Sequence, residues 1–117
     1  MPHVLVIDDN PMIRDLLRQM LERHGYNVHE ATTGLEGLHA YRTVPTDVVI
    51  TDLQMPDMDG LQMMQELHCA YPAIKIIAMS GAPGLLHQAH TLASHIFAKP
   101  LALRPLLHAV RELLEQN

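Results

Sequence analysis

A chain of 117 residues, 48% apolar and 18% charged, has the length of one domain and the composition of a folded protein with a real core, not of a disordered or fibrous chain. Its net charge of −5 argues against a non-specific nucleic-acid surface, which needs a basic face, and no apolar run approaches membrane-spanning length. The single cysteine, Cys69, excludes an internal disulfide and a multi-thiolate metal site within one chain, and is expected as a small buried hydrophobe. The start, Met1-Pro2-His3-Val4, lacks the pattern of a signal peptide, so the expected location is the cytoplasm.

Val4 to Ile7 is an apolar run, expected as a strand, that ends in the acidic pair Asp8-Asp9. Asn10 is a good helix cap and Pro11 suits the first helical position; Ile13, Leu16, Leu17, Met20 and Leu21 then share one helical face, and Gly25 closes the helix. Asn27 to Ala31 alternates in polarity as an edge strand does. Thr33 caps a second helix through about Arg42, with Leu35 and Leu38 expected inward, and Pro45 ends it.

Val48 to Ile50 has the β-branched content of a strand buried on both faces and runs into Thr51-Asp52; Pro56 and Asp59-Gly60 follow as turn formers. Leu61, Met64, Leu67 and Tyr71 give a third helix its apolar stripe up to Pro72, with Met63 and Met64 as core filler. Ile74 to Met79 predicts a fourth strand, and Ser80 through Gly84 breaks it before a helix carrying Leu85, Leu86, Ala89 and Leu92. Ile96 to Ala98 predicts a short fifth strand ending at Lys99-Pro100, and Leu103, Leu106, Leu107, Val110, Leu113 and Leu114 form the stripe of the last helix.

Five strands alternating with five helices imply right-handed crossovers and a doubly wound parallel α/β sheet, with the half-polar second strand at an edge. The expected order is 2-1-3-4-5, the flavodoxin-like arrangement, over one domain spanning 1–117. Its switch point would bring Asp8, Asp9 and Asp52 together, with Ser80 and Lys99 along the same edge. Crowded carboxylates repel, and a hard divalent cation with oxygen ligands, Mg²⁺ or in its place Mn²⁺, relieves that repulsion. Beside such a cation Asp52 can act as a nucleophile towards phosphorus, Lys99 can meet the phosphoryl oxygens, and Ser80 can donate to one of them.

Each residue has a blander role: Asp8 and Asp9 as a solvated capping pair, Ser80 as a turn cap, Lys99 as a surface charge, Asp57 and Asp59 as turn residues. The nine histidines are scattered over different elements, and His87 with His90, one turn apart, have a spacing that suits a metal pair.

Taken together, Asp8-Asp9, Asp52-Leu53-Gln54-Met55-Pro56-Asp57-Met58-Asp59-Gly60, Ser80-Gly81 and Lys99-Pro100 resemble the receiver domain of two-component response regulators over essentially the whole chain. The resemblance implies that Asp52 accepts a phosphoryl group from a phosphohistidine on a sensor histidine kinase or a histidine phosphotransfer protein. It implies Mg²⁺ held by Asp8, Asp9, Asp52 and the Gln54 backbone carbonyl, with Ser80 and Lys99 reading the phosphorylated state. The switch then alters the surface of helix four, strand five and helix five, which is also where a dimer or a downstream protein would dock; neither nucleic acid nor membrane is an expected partner. Such a chain is not an enzyme in the usual sense, since it catalyses only its own phosphorylation and dephosphorylation. Ile96 stands where the family commonly has a rotating Tyr or Phe, Leu92 where Gly is common, and Gln54 and Ala82 at positions that tune phosphoryl lifetime. Two alternatives stay open: a docking scaffold that is not phosphorylated, and a phosphatase or phosphotransferase with an aspartyl-phosphate intermediate, although Gln54 lacks the acidic proton such an enzyme needs two residues after its nucleophile.

Overall fold

The computed structural model describes residues 2–55 and 60–116, so the turn expected at Pro56, Asp57 and Asp59 lies outside the described residues. Five parallel strands, β1 (His3–Ile7), β2 (Asn27–Ala31), β3 (Val48–Asp52), β4 (Ile76–Ser80) and β5 (His95–Ala98), form one sheet in the order β2-β1-β3-β4-β5. Between and after them run α1 (Pro11–Arg23), α2 (Gly34–Thr43), α3 (Gly60–Ala70), α4 (Pro83–Ala89) and α5 (Leu103–Glu115). The expected topology is observed, and β2, with its polar residues, is an edge.

Alternation along the strands divides the core in two. Leu5, Ile7, Val49, Ile76 and Ala78 face α2, α3 and α4, meeting Leu38, Met63, Met64, Leu67, Leu86 and Ala89. Val4, Val6, Val48, Ile50, Ile77 and Met79 face α1 and α5, meeting Leu17, Leu21, Leu106, Val110 and Leu113. β1, β3 and β4 are covered on both faces, which explains their nearly continuous apolar sequence. Each such side chain removed from water contributes about 1.5–3 kcal/mol against the chain entropy lost on folding.

Local signals work as expected at the helix ends. Asn10 Oδ1 accepts from the Met12 and Ile13 N–H groups, Thr33 Oγ1 accepts from the Glu36 N–H, and Gly25 adopts φ +86° after α1. At the far end, Lys75 Nζ donates to the Leu113 carbonyl at 2.7 Å and to that of Gln116, tying the last turn of α5 to the start of β4.

Several expectations are corrected. Leu35 is 57% exposed, because the inward stripe of α2 is Gly34, Gly37, Leu38 and Tyr41, and Leu35 lies about 100° round the helix from Gly34. Cys69 is exposed, two residues past Leu67 and so on the outer face of α3. Leu16 is 47% exposed although it lies next to the stripe of α1. Ile74 belongs to the turn after Pro72, where its N–H reaches the Tyr71 carbonyl, so β4 starts at Ile76 and includes Ser80. Helix α4 ends at Ala89, and Leu92 sits in the following turn, donating to the Ala89 carbonyl.

Two glycines are set by space. A Cβ at Gly60 would lie 2.5 Å from Leu53 Cα and 2.9 Å from the Asp52 and Leu53 carbonyl oxygens, whereas one at Gly37 would meet the end of the Ile7 side chain at 2.5 Å. Backbone cannot give way as a side chain can. Gly60→Ala is therefore expected to destabilise by about 1–3 kcal/mol, and Gly37→Ala by less, since helix propensity offsets about 1 kcal/mol there. Chemical denaturation midpoints check the order; equal losses would contradict it.

Candidate functional site

The strand ladder carries the polar residues of the C-terminal edge into register. Ile7 pairs with Thr51, so the next residues, Asp8 and Asp52, emerge side by side from β1 and β3. Asp8 is anchored further by its N–H to the Ala31 carbonyl at 3.1 Å, and Leu53 by its N–H to Met79 at 3.0 Å. Ser80 pairs with Ala98, and the Lys99 N–H continues the ladder to the Ser80 carbonyl at 3.0 Å. The Lys99-Pro100 peptide bond is cis.

Asp8 and Ser80 are fully buried and Asp52 is 4% exposed, while Asp9 is exposed. Lys99 Nζ lies 3.0 Å from Asp52 Oδ2 and 3.4 Å from Asp8 Oδ2, bridging the two buried acids. The remaining oxygens are also addressed. Asp52 Oδ1 accepts from the Gln54 N–H at 3.0 Å, and Asp8 Oδ1 accepts from the Asn10 N–H at 2.9 Å. Burial raises the Asp8 pKa above its ordinary value of 3.8, the Asn10 N–H works against that rise, and the charge of Asp52 adds to it. For Lys99, burial works against the charge, but the hydrogen bond to Asp52 and the charges of both acids prevail and raise its pKa.

One ligand oxygen from each of Asp8, Asp9 and Asp52 falls within 4.8 Å of the others, the only such cluster of three donors among the described residues. An all-oxygen donor set of this size, open on the Asp9 side, fits a hard cation such as Mg²⁺ better than a softer metal.

Ser80 takes the expected turn-capping role. Its Oγ accepts from the Ala82 N–H at 2.9 Å, capping the turn, and its hydroxyl donates to Gln54 Oε1 at 3.4 Å. Ile96 is 39% exposed and Phe97 packs on the other face of β5 against the α1–α5 core, as alternation requires. Arg14 was not anticipated: Nη1 donates to the Asp8 carbonyl at 2.9 Å and Nε to Glu30 Oε1 at 3.3 Å, clamping the acidic loop to β2. Its sequence signal is an arginine in the first turn of α1, able to reach back over the strand end. His87 and His90 are both exposed and belong to no cluster of three metal-binding donors among the described residues.

Comparison with known proteins points the same way. The family model of the response regulator receiver domain matches residues 4–111. The transcriptional regulatory protein GlrR of Escherichia coli is 31% identical over 118 residues, covering 98% of this chain, and the response regulator MprA of a Mycobacterium species is 31% identical over 97% of it. The chain spans 27% of GlrR and 51% of MprA. Among solved structures, a receiver domain protein of Methanospirillum hungatei superposes with a TM-score of 0.92 at 30% identity, covering 99% of this chain and 96% of that one. The response regulator TrrA of Thermotoga maritima, in complex with Mg²⁺ and beryllium fluoride, gives 0.90 at 30% identity, covering 97% and 99%. Matched by the family model over residues 4–111 and by 30% identical solved receiver structures over nearly its whole length, this chain belongs to the response regulator receiver domain family.

Proposed function

We propose that this chain, as a single receiver domain, is phosphorylated on Asp52 by a phosphohistidine of a kinase or phosphotransfer protein in the cytoplasm, and that the modification switches its α4-β5-α5 surface. The observation that carries this reading is the Lys99 ammonium set between two buried carboxylates beside a third, at the C-terminal edge of a parallel sheet. No helix among the described residues is long and apolar enough to cross a membrane.

Asp8, Asp9, Asp52 and the Gln54 carbonyl would hold Mg²⁺, which supplies positive charge that offsets the repulsion between a carboxylate and a phosphoryl group. The chain's own groups do the rest. The Gln54 N–H fixes Asp52 Oδ1, and Lys99 stands at Oδ2. As an Asp52 oxygen forms its bond to phosphorus, the phosphorus–nitrogen bond of the donor breaks, and the donor imidazole keeps the electron pair. Lys99 and the Ser80 hydroxyl lie on the side where the phosphoryl oxygens would come to rest, so they can exchange their present partners for them. Gln54, exposed and bonded to Ser80, stands where water would approach the acyl phosphate.

Against a hydrolytic enzyme stands Gln54, which has no acidic proton to give a leaving group. A docking scaffold without phosphorylation draws support from exposed Ile96, which cannot swing an aromatic ring inward to couple Ser80 to the surface.

Treatment with Mg²⁺ and a small phosphodonor is expected to give a stoichiometric adduct by mass spectrometry that Asp52→Ala abolishes. Continuous phosphate release would favour the enzyme, and no adduct the scaffold. Exchanging Gln54 for a smaller or a charged residue should change the decay of the adduct severalfold, and an unchanged lifetime would remove Gln54 from that role.

Stability without metal gives a separate check. Because the Asp8 pKa is raised, its charged form costs stability, and the folded state binds that proton more readily than the unfolded chain. Asp8→Asn is therefore expected to raise Tm near neutral pH in metal-free buffer, with the gain shrinking as pH falls through the raised pKa towards 3.8, where wild-type Asp8 is itself neutral. Lys99→Ala, which leaves the two acids facing each other, should cost about 1–3 kcal/mol and be partly rescued by millimolar Mg²⁺.

A further inference from the structure

His3 and His29 form an imidazole pair at the other end of the sheet. His3 opens β1, and five residues at about 3.3 Å each put it about 16 Å from Asp8. His29 lies on the same face, opposite Leu5 on edge strand β2. His3 Nδ1 and His29 Nε2 are 3.0 Å apart, with ring centroids 5.2 Å apart and planes 29° from parallel. The two nitrogens therefore point at each other, and one of them must carry the proton between them. Both residues are half-buried, so their rotamers are held while water retains access.

We propose that this pair is a chelating site for a borderline transition-metal dication such as Zn²⁺, Ni²⁺ or Cu²⁺, separate from the acidic site. Two nitrogens bound to one such ion at about 2.05 Å each stand about 3.3 Å apart for a tetrahedral angle and about 2.9 Å for a right angle. The observed 3.0 Å falls within that range, so the ion needs only a tilt of the rings to turn both lone pairs towards it. The electron balance is simple: the shared proton moves to the outer nitrogen of the same ring, giving two neutral imidazoles that each donate one lone pair. Imidazole donors select these metals over Mg²⁺.

The surroundings suit an ion. His29 lines an open cleft of about 290 Å³ with His39, Glu30 and Thr43; His3 and His29 belong to no group of three protein donors among the described residues, so water fills the other positions of the ion. Beside the pair, the Asp47 carboxylate accepts the His3 backbone N–H at 2.7 Å, which fixes the strand end that carries the imidazole. Since β2 is an edge strand paired with β1, an ion held by His3 and His29 crosslinks that edge to its neighbour, and binding to the folded chain alone raises stability by mass action.

The test is calorimetric titration of the full chain with ZnCl₂ and NiCl₂ in buffer saturated with Mg²⁺, together with Tm and imidazole NMR signals. One ion should bind with micromolar affinity, raise Tm, and perturb the His3 and His29 ring signals first. His29→Asn and His3→Asn should each weaken binding at least tenfold while circular dichroism stays native, and His39→Asn should weaken it less. Asp8→Asn should leave it unchanged. Undiminished binding in the His3 and His29 variants, or loss of binding in His87→Asn or His90→Asn instead, would overturn the proposal.

Discussion

The contact on which the site depends is the Lys99 ammonium placed 3.0 Å from Asp52 and 3.4 Å from Asp8. Both acids are nearly without solvent, and a parallel sheet gives them no choice, because every strand delivers its last residue to the same edge. Two buried carboxylates side by side are tolerated only when a cation compensates them. Lys99 comes from the opposite end of the sequence, so the site exists only once β5 has docked on β4. Folding and site assembly are thus one event.

The compensation is incomplete in a useful way. Lys99 and two backbone N–H groups satisfy four carboxylate oxygens, yet burial still raises the Asp8 pKa. A site left with excess negative charge has affinity in reserve for a cation, and the third acid, exposed Asp9, marks the open side where one can enter. Arg14 contributes from behind. By gripping the Asp8 carbonyl and Glu30 together it holds the acidic loop on β2, so the loop resists spreading under its own repulsion.

The order of the strands, the two-sided core and the group Asp8, Asp9, Asp52, Ser80 and Lys99 were all legible in the sequence, because β1, β3, β4 and β5 announce themselves as apolar runs running into a polar residue and β2 as an alternating edge. What was not legible followed from angle rather than composition. Leu35 and Cys69 are apolar, but the helical angle turns them outward by 100° or 200° from the stripe. The early end of α4 also escaped, since Ala89, Leu92 and Ala93 keep a helical spacing even though the backbone has turned. Arg14 and the His3–His29 pair need the register of β1 on β2, which no local pattern specifies.

How a signal would leave the site follows from what already touches it. A phosphoryl group on Asp52 would add a charge of about −2 next to Lys99, which follows β5, and Ser80, which ends β4. Drawing Lys99 away from Asp8 and Ser80 away from Gln54 acts directly on the loop into α4 and on the start of the segment before α5. In this chain the exposed face of β5 carries Ala98 and then Ile96, a branched aliphatic side chain stiff at its first torsion, while Phe97 is held in the opposite core. A ring flip is therefore closed to it. Under the proposed phosphorylation the route left would be translation of backbone: the Ser80 turn would move with its hydroxyl, the Ala82 N–H bonded to that hydroxyl would follow, and α4, only seven residues long and without a side-chain cap, would have little to hold it back.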